Sequence, residues 1–117
     1  MRHAQKNRTL SRTRSQRTAL LRGLAVSLIR DGQITTTLAK AKELQPRIER
    51  LVTNAKTDNV AARRHVASKL GEPTDNTVVK LFTEVAPKFA ERNGGYTRVV
   101  KLGQTEGRLE AVIAFVE

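Results

Sequence analysis

Positive charge is distributed unevenly along this chain of 117 residues, and the distribution limits what each part can fold into. Residues 1–30 hold eight Lys and Arg side chains and no acid, and the first acid is Asp31. Residues 31–117 hold the other fourteen bases and all eleven acids, so they contribute only +3 of the net charge of +11. The first quarter therefore suits contact with a dense polyanion, while the remainder has the nearly balanced charge of an ordinary folded domain.

The first residues are too polar to form part of a core. Residues 1–9 have no apolar side chain beyond one methionine and one alanine. Such a segment buries too little surface to offset the entropy that it loses on ordering. We therefore expect a single domain over residues 1–117, with a flexible basic arm at residues 1–10 and a folded core at residues 11–117.

Apolar residues at helical spacing predict a first helix from about Ser11 to Asp31. Gly32 provides the left-handed C-cap that often ends a helix, and Arg30 suits the negative end of the helix dipole. The face predicted to point inward comprises Leu10, Arg17, Leu20, Leu21, Leu24 and Leu28.

A strand and a long helix are predicted in the middle of the chain. The β-branched threonines favour a short strand at residues 33–37. An apolar stripe then predicts a helix from Leu38 to about Lys56. Pro46 lies inside it, so we expect either a kink or two helices that meet near Gln45.

Two shorter helices and two strands complete the predicted fold. The helices end at Gly71 and near Pro87. Strands are predicted at residues 96–102 and 109–116, with a hairpin turn at residues 103–108. The order α-β-α-α-α-β-β indicates an α+β, two-layer α/β fold, with helices packed on a small mixed sheet and a basic N-terminal arm.

The net charge of +11 and the sequence pI of about 11.1 favour a nucleic-acid partner. Each Lys or Arg that meets a phosphate releases condensed counterions, and interleaved Ser and Thr can donate to phosphate and sugar oxygens. A solvated charged tail and an amphipathic transit peptide are the alternatives for this segment. The RNA-binding residues predicted in the arm and first helix are Arg2, His3, Lys6, Arg8, Arg12, Arg14, Arg17 and Arg22.

Two further clusters are candidates for RNA contacts. Lys40 and Lys42 follow the threonine run, and the charge of Lys40 near the N-terminus of the second helix is unfavourable for the helix dipole, which a nearby anion would relieve. A pair of glycines later lets the backbone approach a phosphate, while Tyr96 can stack on a base and Arg98 can bind phosphate. A solvated helix face and a plain turn with Tyr96 capping the core are the alternatives. The predicted contacts are Lys40, Lys42, Gly95, Tyr96, Arg98 and Lys101.

The residue types exclude most enzymatic sites. No cysteine is present, which excludes disulfides, thiolate zinc sites and a cysteine nucleophile. The two histidines form no zinc cluster, no pair of acids stands out for acid–base catalysis, and no phosphate-binding glycine motif occurs. No apolar run approaches the ~18 residues of a membrane span. We expect a non-enzymatic protein with no metal, cofactor, small-molecule substrate or membrane contact, and the charge disfavours a homo-oligomer.

Several short motifs follow one another along nearly the whole chain. They are Met1-Arg2-His3, Ala25-Val26-Ser27-Leu28, Ile34-Thr35-Thr36-Thr37, Lys40-Ala41-Lys42-Glu43-Leu44 and Gly94-Gly95-Tyr96-Thr97-Arg98-Val99. Together they resemble the bacterial ribosomal protein L17 family. The resemblance implies a two-layer α/β fold and a position on the large subunit near the polypeptide exit. It also implies contacts with large-subunit ribosomal RNA and neighbouring large-subunit ribosomal proteins, in the cytoplasmic ribosome.

The combined expectation is a structural constituent of the large ribosomal subunit. It would bind and stabilise large-subunit ribosomal RNA through the basic arm and first helix, and so support translation. The protein would recognise mainly the shape of the RNA, with little selectivity for its nucleotide sequence. The alternative from another class is a general nucleic-acid-binding protein of the nucleoid or of DNA packaging.

Overall fold

A computed structural model describes residue 10 and residues 12–116, apart from the side chain of residue 105. Within these residues the elements follow the predicted order α-β-α-α-α-β-β, which confirms the α+β class. Nearly all of the predicted arm lies outside the described residues. The elements are α1 Arg14–Asp31, β1 Gln33–Thr37, α2 Leu38–Ala55, α3 Val60–Lys69, α4 Thr77–Lys80, β2 Thr97–Thr105 and β3 Arg108–Phe115.

A capping box starts α1 at Arg14, slightly later than the sequence predicted. The Thr13 hydroxyl accepts from the backbone N–H of Gln16 at 3.3 Å, and the Gln16 side chain accepts from the backbone N–H of Thr13 at 3.1 Å. These bonds satisfy donors that have no partner within the helix. At the other end, Gly32 has a φ of 81° and donates to the Leu28 carbonyl at 2.8 Å, which confirms the predicted C-cap.

The second helix, α2, is continuous through Pro46, so the expectation of two separate helices is wrong. Proline has no N–H, and the carbonyl of Lys42 therefore lacks its helical donor. Both residues are exposed, which allows water to replace the lost bond. Burial of an apolar face holds the helix together, and its fully buried members are Ala41, Leu44, Ile48 and Val52.

The sheet has three strands in the order β1-β3-β2, and both pairs are antiparallel. A mixed sheet was expected, but a tight turn joins β2 to β3, and a connection this short permits only antiparallel pairing. The turn is Glu106-Gly107, so β2 runs three residues further than predicted and β3 begins one residue earlier. Helix α2 packs on one face of the sheet, while Val100 and Leu102 on β2 are about half exposed.

Helix α4 continues into a π-helical turn at residues 81–85 and a 3-10 turn at residues 86–89. Regular α-helix already ends at Lys80, and Pro87 lies in the second turn, so the proline falls near the end of the helical segment as a whole and not at the end of α4. The two turns direct Phe82, Val85 and Phe89 into the core.

Aromatic contacts connect the 3-10 turn to the sheet. The ring centroid of Phe89 lies 5.2 Å from that of Tyr96 and 6.2 Å from that of Phe115. Both pairs are tilted, which is a favourable arrangement for aromatic rings. Tyr96 is thereby held inside the fold immediately before β2.

Substituting Gly32→Ala should lower the free energy of unfolding by about 1–2 kcal/mol, because alanine is strained in the left-handed conformation. The loss of stability comes from backbone strain and not from a steric clash, since a Cβ at Gly32 would meet no atom within 4 Å. Chemical denaturation of the full chain measures the change.

Gly23→Ala is the matched control, because Gly23 lies inside α1 and a Cβ there also meets no atom within 4 Å. The substitution should raise the free energy of unfolding by about 0.5–1 kcal/mol, since alanine favours a helix over glycine. A loss of stability at both positions would contradict the assignment of strain to Gly32.

Candidate nucleic-acid interface

The arm residues Arg2, His3, Lys6 and Arg8 lie outside the described residues. The described part of the basic segment begins with Arg12, whose guanidinium donates to the Leu10 carbonyl at 2.7 Å. Arg14 is exposed and Arg17 is half-buried on α1. No acid occurs in α1 before Asp31, its last residue, so the helix presents an unbalanced positive surface.

Arg22 has a structural role that its charge alone did not indicate. Its guanidinium points to the end of α3, with Nε 3.4 Å from the Lys69 carbonyl and Nη2 3.5 Å from the Ser68 carbonyl. A cation at this position interacts favourably with the last carbonyls of a helix. The side chain also lies against Gly71, where a Cβ would be only 3.1 Å from Arg22 Cδ.

Lys40 and Lys42 lie in the first turns of α2. The backbone N–H of Lys40 donates to the N-cap hydroxyl of Thr37 at 3.3 Å, and its side chain is half-buried. Lys42 is exposed and lines a shallow groove of about 510 Å³ together with Arg108 and the β2–β3 turn. The start of α2 and the β2–β3 hairpin therefore contribute basic side chains to one surface.

The β2 loop, residues 93–98, is anchored to α2 through Thr97. Glu49 accepts from the Thr97 backbone N–H at 3.2 Å and from the Thr97 hydroxyl at 2.8 Å. The Gln45 side chain donates to the Thr97 carbonyl at 3.1 Å. Thr97 is buried, while the next residue, Arg98, is exposed. This anchoring fixes the backbone from which Arg98 projects.

The two glycines of the β2 loop have a backbone conformation that other residues rarely adopt. Gly94 and Gly95 have φ of 92° and 64°, in the left-handed region. Gly95 is exposed, and further along β2 Lys101 is exposed as well. The geometry therefore brings Gly95 and Arg98 to the surface together.

Tyr96 is a core residue, and the expectation that it stacks on an RNA base is corrected. Its side chain is only 2% exposed, so its faces are not accessible to a base. Phe89 packs on one side, and Lys56 Nζ lies 4.7 Å from the ring centroid. The Thr53 hydroxyl is 3.3 Å from the phenol oxygen. Hydrogen bonding with Lys56 and then Thr53 lowers the pKa of the Tyr96 hydroxyl from its usual value.

A second basic surface was not predicted from the sequence. A groove of about 390 Å³ lies between α1, α2 and α3, and we call it the helical groove. Helical spacing offered a signal, since Arg47, Arg50 and Asn54 form a polar stripe beside the apolar face of α2. The basic side chains that line the helical groove are Arg14, Arg22, Arg47, Arg50, His65 and Lys69.

Nothing in the described part of the chain resembles a metal site or a membrane span. Residues 10 and 12–116 contain no group of three or more His, Asp or Glu side chains placed to hold a metal ion. None of the described helices is long and apolar enough to cross a membrane.

A family model described as ribosomal protein L17 matches residues 20–117 of the chain. The chain belongs to the ribosomal protein L17 family. The large ribosomal subunit protein bL17 of Akkermansia muciniphila is 50% identical to it over 119 residues, covering all of this chain and 86% of that protein.

Other relatives with the same name show the same likeness. That of Gemmatimonas aurantiaca is 52% identical over 111 residues, covering 92% of this chain and 89% of that protein. That of Campylobacter jejuni is 47% identical over 117 residues, covering all of this chain and 97% of that protein.

Membership of the L17 family confirms the predicted class of protein. The chain is a structural ribosomal protein of the large subunit, located with the ribosome in the cytoplasm, and not an enzyme. Its surroundings are accordingly ribosomal RNA and other ribosomal proteins. Family membership therefore favours ribosomal RNA as the partner of the basic surfaces, over a role in DNA packaging.

Glu49→Ala should lower the free energy of unfolding by about 1–3 kcal/mol, because it leaves the donors of a buried threonine without their acceptor. Amide hydrogen exchange of Thr97 should become faster, since the β2 loop loses its anchor. Glu49→Gln retains an acceptor oxygen and should show a smaller change in both measurements. Unchanged exchange of Thr97 in the alanine variant would show that Glu49 does not hold the loop.

Proposed function

We propose that this L17-family chain binds and stabilises large-subunit ribosomal RNA through its basic arm, α1 and the β2 loop. The observation that carries the proposal is the charge of α1, which has exposed Arg14 and Arg22, half-buried Arg17 and no acid before its last residue. A folded helix with this surface repels other copies of itself and attracts phosphate.

Charge neutralisation is the main source of affinity in this proposal. Each Lys or Arg side chain that meets a phosphate releases counterions, and this release offsets the entropic cost of ordering the arm on RNA. Arginine predominates in the first 30 residues, with seven Arg and one Lys. Its planar guanidinium binds two phosphate oxygens at once and also stacks on unpaired bases, which a lysine does poorly.

A second group of proposed RNA contacts projects from the folded core. Arg98 and Lys101 project from β2, and Lys42 projects from the start of α2 beside the β2–β3 turn. We expect Lys40 to contribute through its charge and Gly95 through close approach of its backbone. Contacts of this kind address phosphate and sugar, so RNA shape determines where the protein binds.

Neighbouring large-subunit ribosomal proteins are the proposed protein partners. The chain is proposed to enter the subunit as a single copy, because a net charge of +11 on 13.0 kDa opposes self-association. The half-exposed Val100, Leu102 and Leu109 are the apolar part of the surface that such neighbours would meet.

Deleting residues 1–9 should lower the log–log salt slope of RNA affinity by about two to three units, because it removes Arg2, Lys6 and Arg8. The deletion keeps Leu10, which packs against the core, and the Thr13 cap of α1. Binding to large-subunit ribosomal RNA at several salt concentrations measures the slope.

A triple variant, Arg64→Ala with Lys88→Ala and Arg92→Ala, is the matched control. It removes three exposed bases from α3 and the segment before β2. The salt slope should change less than in the deletion. An equal change in both proteins would contradict a dedicated RNA-binding arm, since net charge alone would then explain the affinity.

Arg98→Ala should weaken RNA binding and reduce the salt slope by about one unit, as expected for one lost phosphate contact. The denaturation midpoint should stay unchanged, because the side chain is exposed. Lys88→Ala serves as the control with equal loss of charge. An unfolded Arg98→Ala protein would instead assign Arg98 to the structure of β2.

A further inference from the structure

The helical groove is built from one polar row on each of three helices. From α1 it receives Arg14, Thr18 and Arg22, which recur at intervals of four residues on one face. Arg14 and Arg22 are among the RNA contacts predicted from the sequence. The other two helices complete the walls, with Arg47, Arg50 and Asn54 from α2 and His65 and Lys69 from α3.

The floor of the helical groove is apolar. Leu21 and Ala25 from α1 and Leu51 from α2 lie at its base, and they are 2%, 4% and 6% exposed. The floor is therefore closed, and a flat ring that enters the groove would meet mainly the guanidinium groups on its walls. Nucleotide bases stack on guanidinium planes in RNA complexes.

Among the residues that the structure describes, no acidic side chain lines the helical groove. Arg47 has a partner outside it, since its Nη2 lies 3.8 Å from Glu43 Oε1, a long separation for an ion pair. Arg50, His65 and Lys69 are exposed on the rim. The rim therefore concentrates positive charge in the folded core, separate from the arm.

Arg22 gives the helical groove one fixed guanidinium. The side chain is held toward the Ser68 and Lys69 carbonyls and against Gly71. A side chain positioned in this way loses less rotamer freedom when a ligand binds. The groove thus combines one oriented arginine with exposed basic side chains around it.

We propose that the helical groove binds an unpaired RNA nucleotide together with its flanking phosphates. The inference rests on the proposed function, because it assigns part of the RNA contact to a site in the core. A volume of about 390 Å³ lies near the lower end of the range of small-ligand pockets, so it admits a single base with its sugar and excludes a duplex.

The polar groups of the helical groove suit this ligand. The Asn54 amide offers donors and an acceptor to a base edge or to the ribose 2′-hydroxyl. The Thr18 hydroxyl donates to the Arg14 carbonyl at 2.9 Å, and its oxygen can still accept a hydrogen bond. Because most of the polar side chains on the walls are basic and bind phosphate whatever the nucleotide, the site distinguishes an unpaired base from a paired one better than it distinguishes one base from another.

The test compares two RNA hairpins that differ only in one bulged nucleotide. Affinity of the full chain for each hairpin is measured by fluorescence anisotropy at several salt concentrations. The wild-type chain should prefer the bulged hairpin by about tenfold, as expected for stacking of one base. The double variant Arg50→Ala with Lys69→Ala should lose this preference.

The control double variant is Arg64→Ala with Lys88→Ala. It also removes two exposed bases, one of them from α3, but neither lines the helical groove. It should weaken binding of both hairpins equally and keep the tenfold preference. Denaturation midpoints of both double variants verify that each remains folded.

The failures of the two proposals are distinguishable. If the groove variant keeps its preference for the bulge, or if the control variant loses it equally, the helical groove is not the nucleotide site. RNA binding through the arm would then still stand. If the wild-type chain binds neither hairpin nor large-subunit ribosomal RNA, the proposed function fails together with the groove.

Discussion

Burial of the apolar face of α2 is the interaction on which the rest of the structure depends. Leu44, Ile48 and Val52 are completely buried, and the helix contacts α1, α3, the turns that follow α4 and all three strands. Aliphatic burial must supply most of the stability, because the chain has only three Phe, one Tyr and no cysteine. The continuity of α2 through Pro46 follows from this, since the packing on both sides outweighs one lost hydrogen bond.

The same helix connects the two basic surfaces. On one side, Gln45 and Glu49 hold Thr97 and with it the backbone of Arg98. On the other side, Arg47 and Arg50 form one wall of the helical groove. The β2 loop and the groove are thus rigidly related through a single element. An RNA that engages both surfaces meets them in a fixed geometry, which is how a protein with few base contacts can still select a particular RNA shape.

Local signals in the sequence predicted the elements well, and tertiary packing explains the misses. Gly32 ends α1 as predicted, because a left-handed C-cap depends only on neighbouring backbone atoms. Tyr96 was assigned to the surface as one of two possibilities, and only its contact with Phe89 settles that it belongs to the core. The helical groove requires three helices to come together, and no spacing within one segment predicts how Arg50 and Lys69 are brought to the same rim.

We propose that many phosphate contacts hold this chain on the large ribosomal subunit. Sedimentation of a cell lysate through a sucrose gradient, after a high-salt wash and with detection of this chain, tests the claim most directly. We expect the wild-type chain to stay in the large-subunit peak, and we expect removal of residues 1–9 together with Arg98→Ala to release it at a lower salt concentration. Release of the wild-type chain into the soluble fraction, or its sedimentation with bulk DNA, would show that phosphate contacts do not hold it on the subunit.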